Sequence, residues 1–222
     1  MNIVKACYAR HAVRHFDGKP IKKSDRKVLK DLIRVINKEQ KLHIQLITNE
    51  PKAFGGRKAK ICNFTGCVNY FAMVGKKAKD LKEKIGYFGE FLVLKAQQLG
   101  INSCWVCLTF NKVKDAYNVR KNEKLVCVIA LGYGTTQGKP HKSKRFADVV
   151  KNRGKFPQWF IRGVKVALLA PTGKNQQKFK ITLLQGNKVR IRNRSLCGDV
   201  DLGIIKYHFG IGAGSTKFEW VK

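Results

Sequence analysis

A short, almost uninterrupted apolar run constrains the fold of this chain more than any other feature. Residues 125–131 read Leu-Val-Cys-Val-Ile-Ala-Leu. The run is short enough for a strand, and because it lacks polar alternation both faces of that strand must be covered. The glycine-rich stretch 132–140 follows directly and ends the strand in a loop. The remaining elements therefore have to supply layers on both sides of a sheet.

Helical and strand-like patterns surround this run without regular alternation. Apolar residues at helical spacing predict helices over residues 24–36, 79–99 and 161–169. Strands are predicted at residues 42–47, 68–74, 179–184, 203–209 and 218–221. Residues 50–60, rich in glycine, lysine and arginine, are predicted to form a basic loop. This irregular mixture predicts an α+β fold.

The chain is strongly basic, with 46 Lys and Arg against 14 Asp and Glu and a formal net charge of +32. Such a charge attracts polyanions whatever the fold. The lysines nevertheless run along the whole chain instead of forming an arm or a stripe, and no basic motif is interleaved with aromatic residues for base stacking. We therefore expect a solvated lysine-rich surface and no nucleic-acid partner.

Hydropathy and cysteine usage predict the compartment. No window approaches the roughly 18 uninterrupted apolar residues that a membrane span needs. The first residues lack the apolar core of a signal peptide. Seven cysteines, an odd number at irregular spacing, fit a reducing compartment better than a disulfide framework. We expect a cytoplasmic protein without a membrane partner.

Three motifs that suggest other chemistry fail on spacing or context. The loop 132–140 is not a nucleotide P-loop, because Pro140 stands where a magnesium-binding Ser or Thr is required. The glycines of residues 210–214 lack the helix that should follow a dinucleotide fingerprint. Cys104 and Cys107 form a CxxC that lies after a predicted helix instead of at its start, and no good second pair is present for zinc. We therefore predict no metal site and no redox dithiol.

Two separate stretches indicate an anion-binding site. In residues 10–16 (RHAVRHF), Arg10 and Arg14 are one helical turn apart and can face one anion. In residues 170–178 (APTGKNQQK), proline and glycine end a helix and leave short polar side chains at the turn. Such side chains can hydrogen-bond a planar ligand with amide edges. A phosphate-bearing heterocycle held between two parts of the chain fits both stretches.

These stretches, together with two others, resemble the FMN-dependent nitroreductases. Residues 10–16 are similar to that family's Arg-rich opening motif, and residues 99–105 (LGINSCW) to its Leu-Gly-Leu segment before the flavin-edge loop. The Lys-Ser-Lys of residues 142–144 resembles the family's Lys-x-Arg phosphate site. Residues 170–177 resemble its Ala-Pro-Ser-x-x-Asn-x-Gln element.

The order of these motifs resembles a subfamily in which one chain carries both halves of a dimeric fold. In ordinary nitroreductases the Ala-Pro-Ser element follows the first helix and reaches the flavin of the other subunit, whereas here residues 37–47 lack it. The resemblance implies a three-layer α+β fold, with a central mixed or antiparallel sheet flanked by helices and an internal pseudo-dimer. It implies a first half at residues 1–154 and a second, flavin-closing half at residues 155–222. A monomer should then suffice for one flavin site, with a weak dimer left open.

The resemblance also implies FMN as cofactor and assigns residues to it. Arg10, His11 and Arg14 would meet the phosphate, ribityl or pyrimidine edge, and Lys142 and Lys144 would hold the phosphate. Flavin N5 would face the backbone of Trp105, Val106, Cys107 and Leu108. The second half would close over the flavin with Pro171, Thr172, Asn175 and Gln177.

Three positions depart from the family pattern. Ala12 replaces the usual Ser of the opening motif and loses its hydroxyl contact. Cys107 stands where the family tends to have Gly, which leaves open which backbone group faces N5. Lys178 replaces the Pro that usually follows the Gln of the last element.

The activity that the resemblance implies is an FMN-dependent NAD(P)H oxidoreductase. Its partners would be NAD(P)H and a small aromatic acceptor, a nitroaromatic or a quinone, reduced in ping-pong order. The redox chemistry would belong to the flavin, so no catalytic acid or base is predicted. The alternative is a basic protein of the same fold that binds nucleic acid or flavin without turnover.

Overall fold

The computed structural model describes residues 1–151 and 154–221, which form two compact units. Each unit draws on several stretches of the chain, and we name each after its sheet. The four-stranded unit comprises residues 9–81 and 91–140. The three-stranded unit comprises residues 1–8, 82–90 and the described part of 141–222. The predicted division into functional halves at residue 154 stays a prediction.

Helices and strands alternate irregularly along the described residues, as the sequence predicts. The helices are α1 (Ile3–Ala9), α2 (Lys23–Gln40), α3 (Lys52–Gly55), α4 (Arg57–Ile61), α5 (Leu81–Gln98), α6 (Phe146–Val149), α7 (Gln158–Ala167) and α8 (Asp199–Ala213). The strands are β1 (Gln45–Ile47), β2 (Asn69–Lys76), β3 (Asn102–Val106), β4 (Glu123–Gly132), β5 (Phe179–Leu184), β6 (Lys188–Asn193) and β7 (Glu219–Trp220).

The predicted covered strand is β4, which lies inside the sheet of the four-stranded unit. The strand order is β1-β2-β4-β3, and every neighbouring pair is antiparallel. Val128 and Ala130 join a core cluster of this unit, while Ile129 and Leu131 point to the opposite face. All four are fully buried, which confirms the prediction that both faces of this strand are covered.

The sheet of the three-stranded unit has the order β5-β6-β7. β5 and β6 form an antiparallel pair, and β7 joins β6 in parallel. Antiparallel and mixed sheets flanked by helices confirm the predicted α+β class. No helix in the described ranges is long and apolar enough to cross a membrane.

Residues 50–60 do not form the predicted loop; that prediction was wrong. They contain the short helices α3 and α4, which bury Ala53, Phe54 and Ala59 against the core. The Glu50 carboxylate accepts the backbone N–H groups of Lys52 and Ala53, at 2.7 and 3.0 Å, and so satisfies two free donors at the start of α3. Local burial and this cap outweigh the loop-like composition.

The strand predicted at residues 203–209 is also wrong, because these residues lie within α8. The apolar residues of α8 are distributed around the helix, so its sequence lacks the polar stripe that marks a surface helix. The acids Asp199 and Asp201 in its first turn, and Gly214 at φ +84° after its end, are the usual signals of a helix start and stop. Gly210 and Gly212 are therefore in the last turns of the helix, and Gly214 follows its end.

In the three-stranded unit, α8 crosses the first half of α5 at a glycine contact. A Cβ at Gly203 would overlap the Glu83 carbonyl oxygen and lie 2.6 Å from the backbone nitrogen of Tyr87. One turn further along, a fully buried pair joins the helices, with His208 Nε2 2.9 Å from Glu90 Oε1. His208 Nδ1 lies 3.2 Å from the Val166 carbonyl oxygen, which only accepts, so Nδ1 carries a proton.

We predict that Gly203→Ala destabilises the protein by about 1–3 kcal/mol or more, because the added methyl group has to push two helix backbones apart. Gly210→Ala on the same helix is the matched control, since a Cβ there meets nothing within 4 Å. The control should gain about 0.5–1 kcal/mol from the better helix propensity of alanine. Urea unfolding of both variants measures the difference, and equal stabilities would contradict the close crossing.

Candidate functional site

In the four-stranded unit, the predicted arginine segment lies beside the edge strand β3. Val13 donates its backbone N–H to the Ser103 carbonyl oxygen at 3.1 Å, and Ala12 forms a parallel bridge with Ser103. Helix α1 ends at Ala9, so Arg10 and Arg14 are not on a helical turn and that premise of the prediction was wrong. The segment is held by strand-like pairing instead.

The positive charges of both arginines nevertheless act on the same residue of β3, Cys104. Burial raises the pKa of the Cys104 thiol on β3, and the positive charges of Arg14 and Arg10 partly offset that rise. Arg10 is only 4% exposed, whereas Arg14 is exposed. A guanidinium does not lose its proton, so this segment brings one buried and one accessible positive charge to β3.

The glycine-rich loop after β4 closes on this segment. A Cβ at Gly138 would lie 2.9 Å from the Cβ of His11 and 3.0 Å from the Ala12 carbonyl oxygen. Gly138 also has a φ of +72°, which disfavours other residues. The Asn102 side chain donates to Gln137 Oε1 at 3.0 Å and thereby ties the same loop to β3. The loop therefore has a structural role beside His11 and Ala12.

The segment predicted to face the flavin begins in β3 and leaves it. Trp105 is half-buried and Val106 is buried, both within the strand. Cys107 follows the last strand residue, and Leu108 is 76% exposed. Arg10, His11, Ala12 and Arg14 thus share one unit and one sheet edge with this segment. A direct contact of its backbone with a flavin stays a prediction.

The CxxC beside it has no features of a redox pair. None of the seven cysteines, all of which are among the described residues, is in a disulfide, and Cys107 follows a strand instead of starting a helix. Burial keeps the pKa of Cys104 above its ordinary value, so its reactive thiolate form is scarce at neutral pH.

In the three-stranded unit, the structure joins the two other predicted motifs through one side chain. Gln177 is only 3% exposed. Its Nε2 donates to the Lys142 carbonyl oxygen at 2.8 Å, and its Oε1 accepts the Lys144 backbone N–H at 2.9 Å. Lys144 Nζ in turn donates to the Gln177 carbonyl oxygen at 3.0 Å. The lysine loop 142–144 and the turn 171–177 are therefore one structural element.

The other polar residues of the turn support this arrangement. Asn175 Nδ2 donates to the Lys142 carbonyl oxygen at 3.1 Å, and its Oδ1 accepts from Gln177 Nε2 at 2.8 Å. Thr172 Oγ1 accepts the Gln177 backbone N–H at 3.0 Å. The neighbouring Pro171 is half-buried. These groups position the turn and the lysines; whether they also touch a ligand stays a prediction.

The backbone of the turn is strained and needs this support. Lys174, Asn175 and Gln177 have φ values of 52°, 52° and 46°, in the left-handed region that residues with a side chain adopt only at a cost. The hydrogen bonds to residues 142–144 hold the backbone in that conformation. This strain explains why so many polar side chains are engaged inside the turn.

The sequence missed one residue that supports the turn, Asp201 in the first turn of α8. Asp201 is 2% exposed and accepts the Gly173 backbone N–H at 2.9 Å and the Ser195 hydroxyl. Burial raises the pKa of its carboxyl, although the hydrogen bonds from Ser195 and Gly173 act in the opposite direction. The signal was an acid at a helix start, which the wrong strand prediction for this region concealed.

Comparison with protein families identifies the chain. The family model described as "Putative TM nitroreductase" matches residues 2–213. The chain belongs to this nitroreductase family. The predicted resemblance is thereby confirmed, while no curated protein matches the chain.

Solved structures of nitroreductase-type proteins share the fold. A "putative nitroreductase" from Thermotoga maritima has 22% identity and a TM-score of 0.69, with 99% of this chain and 87% of that chain covered. A "putative nitroreductase in complex with FMN" from Desulfovibrio desulfuricans has 12% identity and a TM-score of 0.54, covering 71% of this chain and 99% of that one. A "putative NADH dehydrogenase/NAD(P)H nitroreductase" from Bacteroides thetaiotaomicron has 16% identity and a TM-score of 0.52, covering 69% and 99%.

We predict that Gln177→Leu lowers the free energy of unfolding by about 1–3 kcal/mol, because it leaves the Lys142 carbonyl and the Lys144 N–H without their buried partner. Gln185→Leu is the control, since Gln185 is exposed in the β5–β6 turn, and it should change stability by no more than about 0.5 kcal/mol. Urea unfolding compares the two, and equal losses would refute a special role for the Gln177 amide.

We also predict a pH-dependent effect of Asp201→Asn. Because the pKa of Asp201 is raised above its ordinary value of 3.8 in the folded protein, the folded state holds the proton more tightly than the unfolded chain does. The carboxyl therefore contributes stability that is complete below that value and is lost as pH rises through the raised pKa. Asparagine does not titrate, so the stability of wild type relative to Asp201→Asn should fall with rising pH. Urea unfolding over an acidic-to-neutral series measures this, and a constant or rising difference would contradict it.

Proposed function

We propose that this chain is an FMN-dependent NAD(P)H oxidoreductase that reduces nitroaromatic or quinone-like acceptors. The observation that carries the proposal is the Arg10–Arg14 segment, which is paired to β3 just before the chain reaches Trp105–Leu108. This is the association that the family resemblance requires of the opening motif and the flavin-edge segment. The Desulfovibrio structure of the same fold is described as a complex with FMN, which adds support.

The donors in each unit suit the chemistry of FMN, which carries a phosphate and a planar ring with an amide edge. In the four-stranded unit, the guanidinium groups of Arg10 and Arg14 can hydrogen-bond a carbonyl or a phosphate oxygen. In the three-stranded unit, the side chain of Lys142 is exposed. It lies beside the turn 171–177, because Gln177 of that turn bonds the Lys142 carbonyl oxygen. Either set fits one part of the cofactor.

The chemistry that FMN supplies when bound is hydride uptake from NAD(P)H followed by electron delivery to the acceptor, which predicts ping-pong order. The protein contributes position and electric field. Arg10 keeps its charge in a buried environment, where a positive charge stabilises nearby negative charge more than it would in water. Arg14 is exposed and can meet a ligand from solution.

The two lysines of the loop have different proposed roles. Lys144 Nζ is engaged with the Gln177 carbonyl oxygen, so the main part of its role is to hold the loop against the turn. Lys142 takes part in that network through its backbone oxygen, which leaves its ammonium group to act on the phosphate. The flavin contacts of Pro171, Thr172, Asn175 and Gln177 remain part of the proposal.

One chain supplies every residue named in the proposal, so a monomer should suffice for one flavin site. Seven cysteines, none of which is in a disulfide, suit a reducing compartment such as the cytoplasm. Ala12 and Cys107 replace the family's usual Ser and Gly. We therefore expect this protein to bind the flavin ring with one hydroxyl contact fewer than its relatives.

Calorimetric titration with FMN tests the cofactor assignment. Arg14→Gln and Lys142→Gln should each weaken FMN binding roughly 10- to 100-fold, the value of one charge-assisted hydrogen bond to an anion. Lys30→Gln, an exposed cation on α2, is the control and should change the affinity by about twofold at most. Equal effects in all three variants would mean that net charge, and not a site, attracts the cofactor.

Steady-state assays of the FMN-loaded protein with NADH and NADPH, and with a quinone or a nitroaromatic acceptor, test the activity. We expect turnover with at least one nicotinamide and parallel reciprocal plots. A protein that stays colourless with excess FMN refutes the cofactor, whereas a flavin-loaded protein without turnover refutes the enzyme only. Flavin that co-elutes only with a dimer in size-exclusion chromatography would contradict the single-chain site.

A further inference from the structure

The β5–β6 hairpin of the three-stranded unit carries a row of positive charges on one face. Arg190 and Arg192 alternate with Val189 and Ile191 along β6, so the arginines share a face and the buried apolar residues share the other. Arg194 continues the row, because its backbone N–H bonds the carbonyl oxygen of residue 178 at 2.8 Å and extends the pairing.

The neighbouring strand adds cations to the same face. Lys180 on β5 is the cross-strand partner of Arg192, and partners in an antiparallel pair point to the same side. Lys178 lies opposite Arg194 at the end of the pairing. We name this set the cationic face: Lys178, Lys180, Arg190, Arg192 and Arg194. All are exposed except Arg190, which is half-buried.

The arrangement opposes like charges directly, which destabilises an antiparallel pair. Residues 178–194 contain no Asp or Glu that could compensate. Asp148 on α6 pairs with Arg145 at 3.0 Å, and its backbone oxygen accepts from Lys180 Nζ at 2.6 Å. The hydrogen bonds from Arg145 lower the pKa of the Asp148 carboxyl and the charge of Lys180 also helps to lower it, so this acid offsets part of the positive charge. Glu219 on β7 is the partner of Lys188, which lies two residues before Arg190, so this acid is on the same side of the sheet at the end of the cationic face. A bound polyanion would reduce the repulsion between the directly opposed cations, Lys180 with Arg192 and Lys178 with Arg194.

We propose that the cationic face binds the phosphate backbone of a duplex nucleic acid. Along β6, residues two apart are about 6.8 Å from each other, which equals two base-pair steps at 3.4 Å per step. The three arginines can therefore meet regularly spaced phosphates. Each guanidinium group can form two parallel hydrogen bonds with the oxygens of one phosphate. The proposal is independent of the flavin site.

The chemistry of the face favours a duplex over two other polyanions. Single strands are bound by exposed aromatic side chains on which bases stack, and the hairpin's one aromatic residue, Phe179, is 1% exposed on the opposite side. Surface binding to membranes needs apolar side chains that enter the lipid. The residue across from Arg190, in the middle of this face, is Thr182, which is polar. The apolar residue on this side is Leu184, which is half-buried at the end of the hairpin. The cationic face itself offers charge and hydrogen-bond donors.

The lysines run along the whole chain, but on this hairpin three arginines and two lysines also share one side. The period of two in residues 188–194 (KVRIRNR) is visible in the sequence. It indicates a cationic face only once the strand and its partner are known, because the same residues on a helix would point in several directions.

Fluorescence anisotropy with a blunt 20-base-pair DNA duplex, over a series of KCl concentrations, tests the proposal. The triple variant Arg190→Gln, Arg192→Gln, Arg194→Gln should make the slope of log K against log[KCl] less steep by about 2–3, one unit per lost phosphate contact. Its affinity for FMN and its thermal midpoint should match those of wild type, which shows that the fold and the flavin site are intact.

The matched control removes the same charge from α2, as Lys23→Gln, Lys27→Gln, Lys30→Gln. Helix α2 carries acids among its cations, including Asp31 paired with Arg34, so the control should change the slope by less than about 1. An RNA duplex of the same length should bind with a similar salt dependence, because only backbone is contacted.

Three outcomes overturn the proposal. Equal slopes in the two triple variants would reduce the effect to net charge. Tighter binding of a single strand than of the duplex would contradict the absence of a stacking surface. Binding to vesicles of phosphatidylcholine with phosphatidylserine that depends on the three arginines, without duplex binding, would identify a lipid-facing surface instead.

Discussion

The four-stranded unit depends on the burial of β4 on both of its faces. Val128 and Ala130 pack into the same cluster as Val13 and Phe16, which flank Arg14 in the chain. The residues that place the arginine segment are thus core residues, and the charges come to lie beside β3 as a consequence of packing. Ordering this segment costs conformational entropy, and the burial of Val13 and Phe16 offsets that cost. A loop with the same charges but without buried apolar residues would have no such compensation.

The three-stranded unit solves a similar problem with polar contacts. Its turn is held by the Gln177 amide on one side and by the Asp201 carboxylate on the other, which binds the Gly173 N–H. Both side chains are almost completely buried, where an unsatisfied polar group would be costly. The turn contains few apolar residues that could pack, so these hydrogen bonds fix its geometry.

Much of the fold was predictable because its signals are local. Helix α2 has a clean apolar stripe, β4 a continuous apolar run, and β5 the predicted bounds. Helix α8 was not predictable from periodicity, because the burial of most of its residues leaves no polar stripe to reveal its period. Helices α3 and α4 are too short to show a period and depend on long-range burial.

The candidate site was predictable as a set of motifs but not as a geometry. The spacing of Arg10 and Arg14 suggested a helical turn, whereas pairing with Ser103 makes the segment strand-like. The link between residues 142–144 and Gln177 spans more than thirty positions, so nothing local indicates it. Asp201 was hidden by the error in α8, which shows how a wrong element conceals a correct residue.

The contact of Gln177 with the lysine loop has a consequence for how that loop can vary. A carboxamide offers the same donor and acceptor as a peptide group, and here it meets the carbonyl of Lys142 and the N–H of Lys144. The Gln177 side chain thus pairs with the backbone of the loop as a neighbouring strand would, and it determines which loop residues lie opposite the amide. Substitutions at positions 142–144 other than proline keep this pairing, but an inserted or deleted residue would displace the loop's donor and acceptor from the amide.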